Sequence, residues 1–244
     1  MFQTLLAGLE GGLSSMTHRG LAKSLRRPLM AFMVMMAVSA PLGTGQAAEG
    51  LNSISRKDLV ATVERGPGPM KGAADAPVIM VEFSDFLCGY CRLFWKETLP
   101  KIEDRYILTG KVRFVYRHMA IRGEASVLAG QAASCAHEQG KFWQYHDMLW
   151  DKGFSLALTS ARLKRYAAEL GLGEKRFASC LDSGKQADHV EAETILGHAL
   201  GANGTPSFLV NGQLIIGAYP FEFFQRGLDG LLTKTPRELS GQAK

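Results

Sequence analysis

The stretch Val81 to Cys91, VEFSDFLCGYC, sets two of the chain's four cysteines three positions apart, just after a run of apolar and β-branched residues. Thiol–disulfide exchange, half of a metal site and a structural bridge all use a pair at this spacing, so spacing alone does not choose among them. A cysteine at the end of a buried strand and the start of a helix has its sulfur beside unpaired backbone N–H groups and the positive end of the helix dipole. Both favour the thiolate. Cys88 holds that place, and Cys91, almost one turn on, lies beneath it. Cys88 is then the sulfur that exchanges with outside thiols, and Cys91 the one that resolves the mixed disulfide. Zinc would need two more ligands. Cys135 and Cys180 lie in another part of the chain, and His137, two residues from Cys135, is on a different helix face. A Cys88–Cys91 bridge kept only for structure closes too small a loop to stabilise much. No metal and no other cofactor is expected.

The elements around the pair must place it between the end of a buried strand and the start of a helix. Val78 to Phe83, VIMVEF, is a short apolar run with the character of a buried strand. After the cysteines, Leu93, Phe94, Ile102, Tyr106 and Ile107 fall at helical spacings, with Pro100 as a kink and Gly110 as a stop. Lys111 to Met119 alternates Val112, Phe114 and Tyr116, a second strand, which begins a βαβ unit. A helical block follows, with apolar stripes through Leu128, Ala132 and Cys135, through Phe142, Tyr145, His146, Leu149 and Trp150, and through Leu163, Tyr166, Ala167 and Leu170. Thr159 is a candidate cap. Beyond Gly201, SFLV and QLIIGAY flank Asn211-Gly212, a hairpin signature, and a helix around FEFFQRGLDGLL ends the pattern. Strands at both ends and helices between them give an α/β domain over residues 77–236, one sheet interrupted by an all-helical insert at about 121–200. Residues 49–76, with RGPGPMKGAADAP, read as a linker or loop, and 237–244 as a polar tail.

Composition is that of an ordinary globular protein, 46% apolar and 21% charged. Of the net charge of +5, Arg19, Lys23, Arg26 and Arg27 against Glu10 supply +3 before residue 49, leaving +2 for the rest. Nothing in that remainder suggests a nucleic-acid surface, and no nucleic-acid partner is expected. Residues 1–48 read as targeting: the basic KSLRRP precedes the uncharged Leu29 to Leu42, and small residues follow. The expectation is a signal peptide cleaved after Ala47 or Ala48, with an uncleaved anchor as the alternative. Either puts the remainder outside the cytoplasm, in a periplasm or similar compartment where disulfides persist.

VEFSDFLCGYC together with NGTPSFLVNG resembles the thioredoxin-fold thiol:disulfide oxidoreductases, specifically the DsbA family, from about Val78 to Leu232. The resemblance implies a thioredoxin fold with an inserted helical subdomain, and a monomer that forms disulfides in unfolded or cysteine-containing exported proteins and is recycled by a membrane redox partner. It implies that Glu82, six positions before Cys88, is a buried acid under the pair that exchanges a proton with Cys91. It implies that Thr205-Pro206 is a cis-proline loop that packs on the cysteines and offers its backbone to an extended substrate. Tyr90 departs from the histidine of the best-known oxidases of the family. It brings no positive charge, so Cys88 loses one source of thiolate stabilisation. Gly89-Tyr90 and Thr205 instead resemble the DsbC group of isomerases, whose substantial amino-terminal dimerisation domain does not fit between Glu49 and Pro77. A reductase or isomerase is therefore the first alternative, and a secreted peptide-binding or chaperone module without redox chemistry the second.

Cys135 and Cys180 lie on apolar helical faces, as buried free thiols or, in an oxidising compartment, as a structural disulfide; the disulfide is expected. Phe142, Trp143, Tyr145 and Trp150 read as core rather than as a peptide groove. His118, His146 and His198 read as structural.

Overall fold

In a computed structural model, which describes residues 54–153 and 158–233, the chain forms a five-stranded mixed sheet with helices on both faces. The targeting segment expected over residues 1–48 and the tail over 237–244 lie outside the described residues. Among the described residues no helix is long and apolar enough to cross a membrane.

The strands are β1 (Met70–Lys71), β2 (Val78–Ser84), β3 (Val112–His118), β4 (Ser207–Val210) and β5 (Gln213–Ile216), in the order β1-β3-β2-β4-β5. β2 runs parallel to β3 and antiparallel to β4, so it is central and buried on both faces, as its near-continuous apolar sequence requires. Alternation divides its side chains. Val78, Met80 and Glu82 face one layer, and Val81 and Phe83 the other. The β4–β5 hairpin turns at Asn211 (φ 45°) and Gly212 (φ 82°), the left-handed pair that the Asn-Gly dipeptide suits.

The helical segment that starts at the cysteines comprises α2 (Gly89–Leu93), which contains Cys91, and α3 (Leu99–Ile102), each followed by a π turn, Phe94–Thr98 and Glu103–Ile107. Pro100, in the first turn of α3, has no N–H to give the preceding turn, and the N–H of Leu99 reaches back five residues to Phe94. The expected kink thus takes the form of a wide turn in a continuous rod. The insert holds α4 (Glu124–His137), α5 (Phe142–Met148), α6 (Ser160–Glu169), α7 (Glu174–Asp182) and α8 (Ala187–Ala199); α9 (Phe221–Leu232) closes the domain. Thr159 caps α6 by accepting from the N–H of Arg162. Phe142, Tyr145 and Trp150 are buried with α4 and α6 in one core, while Trp143 is half-buried against it. Cys135 on α4 and Cys180 on α7 are joined, with their Cα atoms 5.9 Å apart.

The segment expected as a linker differs. It contains α1 (Arg56–Arg65) and strand β1, which pairs with β3. α1 starts in a capping box: Ser55 Oγ accepts from the N–H of Asp58, whose carboxylate accepts from the N–H of Ser55. Its Val63, with Leu59 and Val60, covers the sheet face that carries Val81, Phe83, Val115 and Leu209. Arg117 on β3 fastens its end. Nε donates to the carbonyl of Val63 (3.0 Å), Nη1 to that of Pro67 (2.9 Å) and Nη2 to that of Gly66 (2.8 Å), while Nη1 also meets Glu193 on α8 at 3.1 Å. The buried guanidinium is a many-toothed tie among β3, α1 and α8.

Candidate active site

Cys88 ends the β2–α2 loop as the N-cap of α2, with φ −92° and ψ 118°. The loop is fixed by Asp85, a buried carboxylate with all its bonds inside the protein. Oδ1 accepts from the N–H of Leu87 (2.8 Å) and the hydroxyl of Ser126 (2.6 Å), and Oδ2 from the N–H of Ile121 (2.9 Å). The carbonyl of Asp85 also accepts from the N–H of Cys88 (2.9 Å). Asp85 therefore ties the loop that carries the cysteines to the loop after β3.

The two sulfurs are unlike. Cys88 is lowered to about 5, chiefly because Cys91 donates a hydrogen bond to its sulfur, with the Thr205 side chain and the backbone N–H groups of Cys91 and Tyr90 adding to the effect against the cost of burial. As a thiol it donates to the carbonyl of Thr205 at 3.1 Å. Cys91 is pushed well above its ordinary value, first by burial and then by its bond to Cys88 and the charge of Glu82. Glu82, 2% exposed, is raised to about 8 by burial, with the Cys88 charge adding a little and the Ser84 hydroxyl opposing. At neutral pH the site is a Cys88 thiolate, a Cys91 thiol and a Glu82 that is mainly the protonated acid. The carboxyl is on the central strand, between Tyr116 and Phe208, rather than at an exposed edge.

The Thr205–Pro206 peptide is cis and leads into β4 beside Cys88. Gly89 is exposed and Tyr90 projects into solvent at 66% exposure, so the dipeptide between the cysteines faces any approaching partner. Cys88, Cys91, Glu82, Thr205 and Pro206 are thus brought together, and Cys135 and Cys180 lie apart in the insert. Sequence reasoning missed two residues. Asp85 was passed over, and Arg122, in the loop after β3, places Nη2 3.7 Å from Cys88 Sγ. Its signal was topological: loops at the C-terminal ends of neighbouring parallel strands share one edge of the sheet.

One other cluster among the described residues has metal-ligand chemistry. Atoms of His118, His189 and Glu193 lie within 4.8 Å of one another. Glu193 is already engaged at both oxygens, Oε1 by Arg117 and Oε2 by the N–H of His118 at 2.7 Å, and the Nε2 of His118 pairs with Ser134 at 2.9 Å. Within it Glu193 pairs with Arg117, and burial holds both histidines toward the neutral form.

A sequence model of the thioredoxin family matches residues 64–230. The chain is 31% identical to a Na(+)/H(+) antiporter NhaA 3 of Salinispora tropica over 193 residues, which are 78% of this chain and 29% of that protein. It therefore spans less than a third of the length of such antiporter relatives. It is 28% identical to Disulfide bond formation protein D of Bacillus subtilis, over 60% of this chain and 69% of that one. The crystal structure of oxidised BdbD from Bacillus subtilis superposes with a TM-score of 0.64 at 26% identity, covering 68% of this chain and 94% of that chain. The α-DsbA1 of Wolbachia pipientis shares the fold, with a TM-score of 0.63 at 22% identity over 71% and 94%. The chain belongs to the thioredoxin family, with DsbA- and BdbD-type oxidoreductases as its structural neighbours.

Proposed function

We propose that this protein is a thiol:disulfide oxidoreductase that passes a Cys88–Cys91 disulfide to exported proteins containing free cysteines. The observation that carries the reading is the opposed pair of thiols, a Cys88 thiolate at the head of α2 and a Cys91 held protonated above a buried acid. A substrate thiolate attacks Cys88 Sγ. The Cys88–Cys91 bond breaks, a mixed disulfide forms, and Cys91 leaves with the electron pair and takes a proton from Glu82. A second substrate thiolate then attacks the substrate sulfur of the mixed disulfide and expels Cys88 as a thiolate. The low pKa of Cys88 favours that departure. The substrate is oxidised by two electrons, and the protein is left as a dithiol.

The Thr205–Pro206 backbone beside Cys88 supports an extended substrate strand laid along this edge. Recycling needs an oxidant, for which a membrane disulfide or quinone system in an extracytoplasmic compartment is the partner class, and the protein acts as a monomer. The name of the Bacillus subtilis relative supports disulfide formation as the direction. A reductase or isomerase is the second reading, favoured by Tyr90 where the best-known oxidases carry histidine. Thiol trapping in intact cells separates the two: a mostly disulfide resting state is expected, and a mostly dithiol state overturns the oxidative direction.

A further inference from the structure

Tyr90 leaves the dipeptide between the cysteines without a cation, yet the site is not without one. Arg122 lies 34 residues from Cys88 in sequence and presents Nη2 at 3.7 Å from its sulfur. The approach is built. Asp85, two hydrogen bonds of which hold the cysteine loop, accepts at its other oxygen from the N–H of Ile121, next to Arg122, and at Oδ1 from Ser126. The N–H of Ala120 donates to Thr194 at 3.0 Å, and the N–H of Met119 to the carbonyl of Ser84 at 2.8 Å. The backbone on both sides of the contact is therefore pinned before the side chain is considered. Gly123, at φ 86°, then turns the chain into α4, and Arg122 before it is exposed to solvent.

We propose that Arg122 is the cation that stabilises the Cys88 thiolate, taking electrostatically the place that a histidine between the cysteines would fill. The inference deepens the disulfide-exchange reading above and rests on it for its meaning, since a charge that favours the thiolate favours the dithiol form and makes the disulfide a stronger oxidant. Arg122 also touches the sulfur that leaves in the second exchange, so it assists release of the oxidised substrate.

An opposite charge within about 4–6 Å shifts a titration midpoint by about 1–3 pH units, and exposure to water puts Arg122 at the lower end. In the purified protein, Arg122→Gln is expected to raise the midpoint of Cys88 alkylation by about one pH unit. Its equilibrium with glutathione should move about tenfold toward the protein disulfide, which is about 30 mV. Arg122→Lys, which keeps the charge, should recover most of both, and Lys175→Gln, which removes an exposed charge on α7, should change neither. Unmoved values in Arg122→Gln, or an Arg122→Lys protein that behaves like it, overturn the proposal. The alkylation profile needs no substrate. If the wild-type protein fails to exchange disulfides while Arg122→Gln still shifts the profile, the function fails and the assignment of Arg122 stands.

Discussion

Replacing Glu82 by glutamine tests whether the acid under the cysteines is protonated at neutral pH. The folded protein holds Glu82 at about 8 and the unfolded chain at about 4.5. Between those values the unfolded state has lost a proton that the folded state keeps, so this group makes the protein less stable as pH rises, by about 1.4 kcal/mol per pH unit. Over a span of about 3.5 pH units the loss reaches about 5 kcal/mol, an upper value because water entry and relaxation reduce it. Cys88 works oppositely. Its folded value of about 5 lies below its unfolded 9.0, so it adds stability as pH rises across that range. In the reduced wild-type protein the two trends offset each other. Glu82→Gln removes the falling trend, and its stability relative to wild type should climb from near zero at pH 5 to at least about 2 kcal/mol at pH 9. The assay is urea unfolding of both proteins under excess dithiol at each pH. The Cys135–Cys180 bond is then reduced in both and drops out of the difference. A flat difference would falsify the account of Glu82, because a carboxylate already ionised at pH 7 has no proton to give Cys91.

Three further outcomes follow from the same geometry. Iodoacetamide labelling of Cys88 should rise with pH through about 5 and level off by about 6, with Cys91 unlabelled at neutral pH; mass analysis of digests checks both, and a midpoint near 9 contradicts the site. Replacing Cys135 and Cys180 together by alanine should cost about 4 kcal/mol by chain entropy while leaving Cys88 labelling unchanged, as read by thermal unfolding and alkylation. Arg117→Met strands the buried Glu193 carboxylate and unties α1, so denaturant unfolding should show a loss of about 3–5 kcal/mol, and a loss under about 1 kcal/mol would show that the tie carries little.

Much of the site was legible because its signals are local. The apolar run of β2 fixed where the strand ends, alternation put Glu82 on the face opposite Val81 and Phe83, and Asn211-Gly212 marked the hairpin that follows Thr205-Pro206. α1 was missed for a different reason. The pattern Ser55-x-x-Asp58 announces its start, but the helix has few apolar residues and runs into the Gly- and Pro-rich stretch after Arg65, so the segment carried the composition of a loop. What holds it, the Arg117 fork, joins residues 50 to 54 positions apart and leaves no periodic trace. Arg122 and Asp85 were hidden in the same way. Their partners meet only because β2 and β3 run parallel and deliver two loops to one edge of the sheet.

Exchange of a disulfide between Cys88–Cys91 and protein thiols is read most directly as oxidation of a two-thiol peptide by the purified disulfide form. One peptide disulfide should form per protein molecule. Cys88→Ala should form none, and Cys91→Ala carrying a one-thiol peptide as a mixed disulfide at Cys88 should release it only to added thiol. Equal peptide oxidation by wild type and Cys88→Ala would contradict the account.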